Sequence, residues 1–169
     1  MRCTGWVMAR SIQSSSLLLL NKLGWFIGTG FGSGLSPVAP GTAGSLVALV
    51  IYYFLPLSGD SIEFYSMIVV GVLLGVWATG TLVSEADEDP GKAVWDEFVG
   101  LWVTCLLLPK ELGWLAAAFV CFRILDVLKP WPARRLETLH GGLGIMADDF
   151  MVGIYGAILL NTVRLVFFP

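Results

Sequence analysis

The best single candidate for a membrane span, Phe64 to Val83, runs for 20 residues without a charge. As a helix it matches the ~30 Å hydrocarbon core of a bilayer at about 1.5 Å per residue. The rest of the chain agrees with that solvent. Of 169 residues, 56% are hydrophobic and 14% charged, where roughly 25% charged is usual in a soluble domain. Mean hydropathy is +0.80. A small fold leaves much of its surface exposed, so apolar surface on this scale needs lipid around it. Disorder, which needs low hydrophobicity and high charge, is excluded. Ten Lys plus Arg against 13 Asp plus Glu leave no basic excess for nucleic acid. Cys3, Cys105 and Cys121 lack the number of a disulfide framework and the CxxC spacing of a zinc site.

Shorter apolar stretches flank the long one. Leu17–Leu20 is stopped by Asn21 and Lys22, too soon for a cleavable signal. Leu17 to Ile27 therefore reads as a helix lying at the membrane interface. Residues 1–16 form an N-terminal extension, and 17–169 one domain. Gly44 to Leu57 is apolar but short for a span. Phe98–Leu108 and Leu112–Leu125 are divided by Pro109-Lys110-Glu111. Each reaches bilayer thickness if its helix continues through a charged end, toward Lys92 and Lys129 respectively. Phe150 to Phe168 is the last span. Between them lie a Gly/Ser/Thr/Pro block, GTGFGSGLSPVAPGTAGS at 28–45, and a second Gly-rich turn, GGLGIMADD at 141–149. Thr42 is a plausible N-cap for the helix that follows the first block. The expectation is an all-α fold, a small multi-pass integral membrane helical bundle of four to five spans, with Gly-rich loops at the cytoplasmic face.

Basic residues set the orientation. Arg2, Arg10 and Lys22 precede the first span, Lys92 follows the second, and Lys129, Arg134 and Arg135 follow the fourth. The loop at 58–61 has no Lys or Arg, and that at 109–111 only Lys110. The N-terminus, the acidic segment 84–97 and the basic segment 129–140 then face the cytoplasm, with Arg164 a small count against. Tryptophans near span ends (Trp25, Trp95, Trp114, Trp131) read as interface anchors.

Alternating spans bring remote charges to one face. Asp96 and Glu97, then Arg123, Asp126 and Lys129, then Asp148 and Asp149 all arrive at the same lipid–water boundary. Carboxylates near a bilayer must be paired, hydrated or bound to a cation. Two adjacent acid pairs repel unless a cation intervenes. Hard oxygen donors suit Mg²⁺ or Mn²⁺, and nearby Arg and Lys suit a phosphorylated substrate. The first Gly block, with Gly30, Gly32, Ser33, Ser36, Thr42 and Ser45, can offer backbone N–H groups to an anion. Blander readings exist. Asp148 and Asp149 can be solvated acids favoured by a helix dipole. Arg123, Asp126 and Lys129, at i, i+3 and i+6, can be a structural ladder. Glu85, Asp89 and His140 read as solvated loop residues. The Gly block fails both the GxGxxG register and the GK[ST] ending of a P-loop. Neither a Cys-phosphatase loop nor a second histidine is present, which favours metal-activated water for phosphoester hydrolysis.

Four blocks carry a resemblance: residues 28–45, DPGKAVWDEFVGLWVT at 89–104, FRILDVLKPWPARRLE at 122–137 and GGLGIMADDFMVGI at 141–154. In sequence and order they resemble the phosphatidylglycerophosphatase A family of bacterial lipid phosphatases. The resemblance implies Mg²⁺-dependent hydrolysis of the terminal phosphomonoester of phosphatidylglycerophosphate to phosphatidylglycerol and inorganic phosphate, at the cytoplasmic face of the inner membrane. Motif by motif it marks Asp96 and Glu97, Arg123, Asp126 and Lys129, and Asp148 and Asp149. On this reading the five acids hold one or two Mg²⁺ and supply the base, while Arg123, Lys129 and the 30–45 loop bind phosphate. The phospholipid arrives laterally within the membrane. The rival class, a small transporter or flippase subunit, needs charges spread over membrane depth rather than gathered at one face.

Overall fold

The computed structural model describes residues 4–84, 87, 90–136 and 138–168, with side chains from Ser16 onward. The expectations resting on Arg2, Cys3, Glu85, Asp89 and the Arg10 side chain lie outside the described residues. Within them the chain is all-helical. The helices are α1 (Thr4–Gly28), α2 (Pro40–Phe54), α3 (Ile62–Gly80), α4 (Trp95–Thr104), α5 (Leu112–Leu128), α6 (Ala133–Leu136) and α7 (Gly142–Phe167), with a 3₁₀ turn at Ser33–Leu35. The one β feature described is an isolated bridge between Ser84 and Asp87.

Helices α3 and α7 are long and apolar enough to cross a membrane, while α2 and the Ser16–Gly28 part of α1 are apolar but shorter. Ser61 caps α3, its Oγ accepting from the Phe64 N–H at 3.2 Å, as expected of an N-cap serine. The α2 start differs from the expectation. Pro40 occupies its first turn and Ala39 its N-cap position, so Thr42 is already helical. Proline suits that place because its missing N–H would have no helical partner.

Residues 142–149 also differ, forming the first turns of α7 rather than a loop. Their glycines serve close packing. A Cβ on Gly142 would overlap the Val76 carbonyl on α3, and one on Gly144 the Leu139 carbonyl. Only Gly141, at φ 69°, turns the chain.

The sequence reading extends the third apolar stretch toward Lys92, but α4 has 10 residues, about 15 Å of helix. The reason is burial. Eight of its residues are buried, enclosed by α2, α3, α5 and α7. A buried helix can end early where protein satisfies its backbone groups, and here it does. The Leu107 N–H donates to the Gly59 carbonyl at 2.8 Å. Asn161 Nδ2 donates to the Leu106 carbonyl at 2.9 Å and Arg164 Nη1 to the Leu107 carbonyl at 2.6 Å. Arg164, an exception in the charge count, is a cap for the far end of α4.

Small residues set the α4–α7 contact. A Cβ on Gly100 would press the Asp149 carbonyl at 2.8 Å, one on Gly153 the Gly100 carbonyl at 2.5 Å, and one on Gly156 the Thr104 side chain at 2.8 Å. Such close backbone approach is the usual means of packing apolar helices in lipid. It also fixes the first turn of α4 beside Asp149. Trp95 belongs to the core rather than an interface. It is 6% exposed, stacks on Phe98 at 5.1 Å and donates Nε1–H to the Gly71 carbonyl at 2.9 Å. Trp131 remains exposed.

Candidate active site

Each acid owes its place to a helix end. Asp96 and Glu97 fill the first turn of α4, where the helix dipole favours negative charge. Asp148 and Asp149 are buried near the start of α7. Arg123 and Asp126 lie one turn apart near the end of α5, and Lys129 is its left-handed C-cap at φ 42°. These ends converge on a cavity of about 790 Å³, lined by all five acids together with Arg123, Lys129 and Arg134.

Within it the charges sort into two groups. One oxygen each from Asp96, Glu97 and Asp149 lie within 4.8 Å of one another. Asp96 Oδ1, Glu97 Oε2 and Asp149 Oδ2 are buried atoms with no hydrogen-bond partner. Leaving such oxygens unmet is costly, and a divalent cation would satisfy all three. The all-oxygen donor set suits a hard ion such as Mg²⁺. The other two acids have basic neighbours. Asp126 pairs with Arg123 at 3.1 Å and Asp148 with Lys129 at 2.6 Å. Arg123 also reaches Glu97 at 3.8 Å. The ladder expected along α5 therefore holds for one rung, while Lys129 crosses to α7.

The first Gly block does a different job from the one its composition suggests. Of it, Ala39, Pro40 and Gly41 line the cavity. Gly30, at φ 56°, packs against Phe98 and Val94. Gly32, at φ 90°, opens the 3₁₀ turn. Ser33 Oγ donates to the Gly30 carbonyl and Ser36 Oγ to the Val38 carbonyl, at 2.8 and 2.9 Å. Thr42 is half-buried in α2. The loop's main outward bond is from the Val94 N–H to the Gly28 carbonyl, at 2.9 Å. The block thus braces the approach to α4. Ser45 is the exception, since its Oγ accepts from Arg123 Nη1 at 3.4 Å and donates to the Gly41 carbonyl at 2.8 Å. It helps to aim the guanidinium.

Two residues that sequence reasoning missed belong to the site. Gly41 gives Glu97 its room, because a Cβ there would overlap Glu97 Oε1 and press Arg123 Nη1 at 3.2 Å. Its only sequence signal was a place in a Gly-rich block. Arg134 was read as an orientation charge, yet it reaches the cavity. His140 is exposed and is not among the lining residues, although its neighbours Leu139 and Gly141 are.

Residues 26–164 match the sequence model of a family described as phosphatidylglycerophosphatase A. The chain belongs to the phosphatidylglycerophosphatase A family. Its relatives agree. It is 42% identical over 159 residues to phosphatidylglycerophosphatase A of Escherichia coli strain K12, covering 89% of this chain and 88% of that protein. It is 39% identical over 161 residues to the Haemophilus influenzae protein of the same name, covering 93% and 98%. It is also 43% identical over 145 residues to a Bacteroides thetaiotaomicron protein named "Putative phosphatidylinositol-3-phosphatase", covering 82% and 91%. No solved structure matches the chain. Membership in the phosphatidylglycerophosphatase A family supports lipid phosphatase activity, and every charged residue of the cavity lies inside the matched region.

Proposed function

We propose that this protein hydrolyses the terminal phosphomonoester of phosphatidylglycerophosphate, giving phosphatidylglycerol and inorganic phosphate. The observation that carries the reading is the juxtaposition, in one cavity of a chain from this family, of Arg123 and Lys129 with a carboxylate triad in which each acid has one buried oxygen without a hydrogen bond. Asp96, Glu97 and Asp149 would hold the metal, with Mg²⁺ the best match to their oxygens. When bound, such an ion supplies Lewis acidity toward a phosphoryl oxygen and toward water.

The chain's own groups do the rest. Arg123 and Lys129 neutralise the transferring phosphoryl group, exchanging part of their pairing with Asp126 and Asp148 for the phosphate oxygens. A carboxylate released in that exchange accepts the proton of the attacking water. Asp126 and Asp148 are thereby placed as partners and bases, with the triad as the metal set. The glycerol alkoxide leaves toward the cavity mouth and is protonated by solvent there. Val127 and Leu128 also line the cavity and are largely exposed, so the diacyl tails can stay in lipid while the head group enters. This fits a multi-pass protein of four to five membrane-crossing segments, α4 included only as a short internal one, with the cavity at the cytoplasmic face of a bacterial inner membrane. No group of residues 1–16 takes part in the proposed chemistry.

The Bacteroides relative's name favours a second substrate, phosphatidylinositol 3-phosphate. Phosphate release from each lipid by the purified protein in micelles separates the two. A higher kcat/KM for phosphatidylglycerophosphate supports the first reading, and the reverse order overturns it.

A further inference from the structure

The cavity is graded from its floor to its rim. Asp149, in the triad, is 2% exposed. Arg123 and Lys129 have side chains 20% and 25% exposed and are engaged by acids. Arg134 lines the same cavity, is exposed, and pairs with no acid among the described residues. Its position is nevertheless fixed. Ala133 beside it is fully buried, with its N–H donated to the Pro130 carbonyl at 2.9 Å. The next residue, Arg135, turns the other way, over the Trp131 ring at 5.8 Å. The cavity therefore has at its mouth a guanidinium that no described acid engages, beyond the two cations that serve the reacting phosphate, and in a lining shared with the exposed apolar Val127 and Leu128.

The named substrates of the relatives share one chemical pattern. Phosphatidylglycerophosphate and phosphatidylinositol 3-phosphate each carry two phosphates. One is a diester beside the diacylglycerol, and the other is a monoester farther out on the polyol. A lipid entering with its monoester toward the triad leaves its diester at the rim. We infer that Arg134 forms a second anion subsite that binds the lipid's phosphodiester, so that the enzyme selects lipids bearing both a diester and a remote monoester over phosphatidic acid, which has a monoester alone. The inference rests on the proposed phosphatase reading of the same cavity. Arg134 here is a specificity residue that does not touch the reacting phosphorus.

The test compares wild type, Arg134→Ala and Arg134→Lys on three lipids in detergent micelles: phosphatidylglycerophosphate, phosphatidylinositol 3-phosphate and phosphatidic acid. Wild type is expected to prefer the best two-phosphate lipid over phosphatidic acid. In Arg134→Ala that preference, as a ratio of kcat/KM values, falls about 10- to 100-fold, the scale of one lost charge-assisted hydrogen bond. The loss falls on KM rather than kcat, and Arg134→Lys recovers part of it. Phosphatidylglycerol, which has the diester only, should inhibit wild type competitively and Arg134→Ala much more weakly. An equal loss on all three lipids, a loss confined to kcat, or unaltered kinetics on all three overturns the subsite. Wild type releasing no phosphate from any lipid overturns the phosphatase reading itself, and is thus told apart from failure of the subsite alone.

Discussion

At the scale of single residues, the sequence named the five acids, and their spacing alone could not divide them. Asp148 and Asp149 are neighbours in the chain, yet the helical rotation between them sends one to Lys129 and the other toward Asp96 and Glu97. That division is a property of three helix ends meeting, invisible in one dimension. It makes a specific prediction. Asp149→Asn should lower kcat by ~10²–10⁴-fold, the range for a group at the chemistry. In chelator, however, its unfolding temperature should match or exceed that of wild type, because one of several mutually repelling carboxylates is gone. A variant that loses activity only by unfolding would remove the triad from the account. Gly41 offers a second check. Gly41→Ala adds one carbon against Glu97 and Arg123. Displacement of a reacting group by about 1 Å can cost on the order of 10²-fold, so kcat should fall steeply while thermal unfolding changes little. Full turnover in Gly41→Ala would mean that Glu97 need not sit where it does.

At the scale of elements, length and hydropathy made α3 and α7 legible, because a bilayer-length apolar helix needs no partner to be recognised. They misjudged α4, whose apolar run is short because protein rather than lipid surrounds it. The same confusion hid the role of glycine. Gly142, Gly144 and the block before α2 look like loop material in sequence, and in three dimensions several of them are points where two backbones nearly touch. The consequence is testable by position. Gly153→Val, facing the Gly100 carbonyl and Val103, should destabilise the fold by about 1–3 kcal/mol or more through overpacking. Gly113→Ala, where a Cβ meets open space, should stay within about 0.5 kcal/mol of wild type. Both are read by unfolding in detergent. If the two variants were equally stable, close helix approach would not be what seats Asp149 beside α4.

At the scale of the whole molecule, the bundle has two chemically different ends. One gathers the acids, Arg123, Lys129 and Arg134. The other satisfies its own carbonyls with Asn161, Arg164 and Lys110, the last donating to Leu55. On the membrane reading these ends lie in opposite leaflets. Single cysteines at Thr138 and Ser58 in a cysteine-free background should then react with an impermeant thiol reagent from opposite sides, Thr138 from the cytoplasm. Labelling of both from one side would refute that topology. All of this depends on Asp96, Glu97 and Asp149 holding a divalent cation that the phosphatase chemistry requires. The decisive measurement is inorganic phosphate release from phosphatidylglycerophosphate by the purified protein, with Mg²⁺ and with excess chelator. Turnover is expected with Mg²⁺, is lost in chelator, and returns when Mg²⁺ is added back. Equal release in both conditions would contradict that requirement.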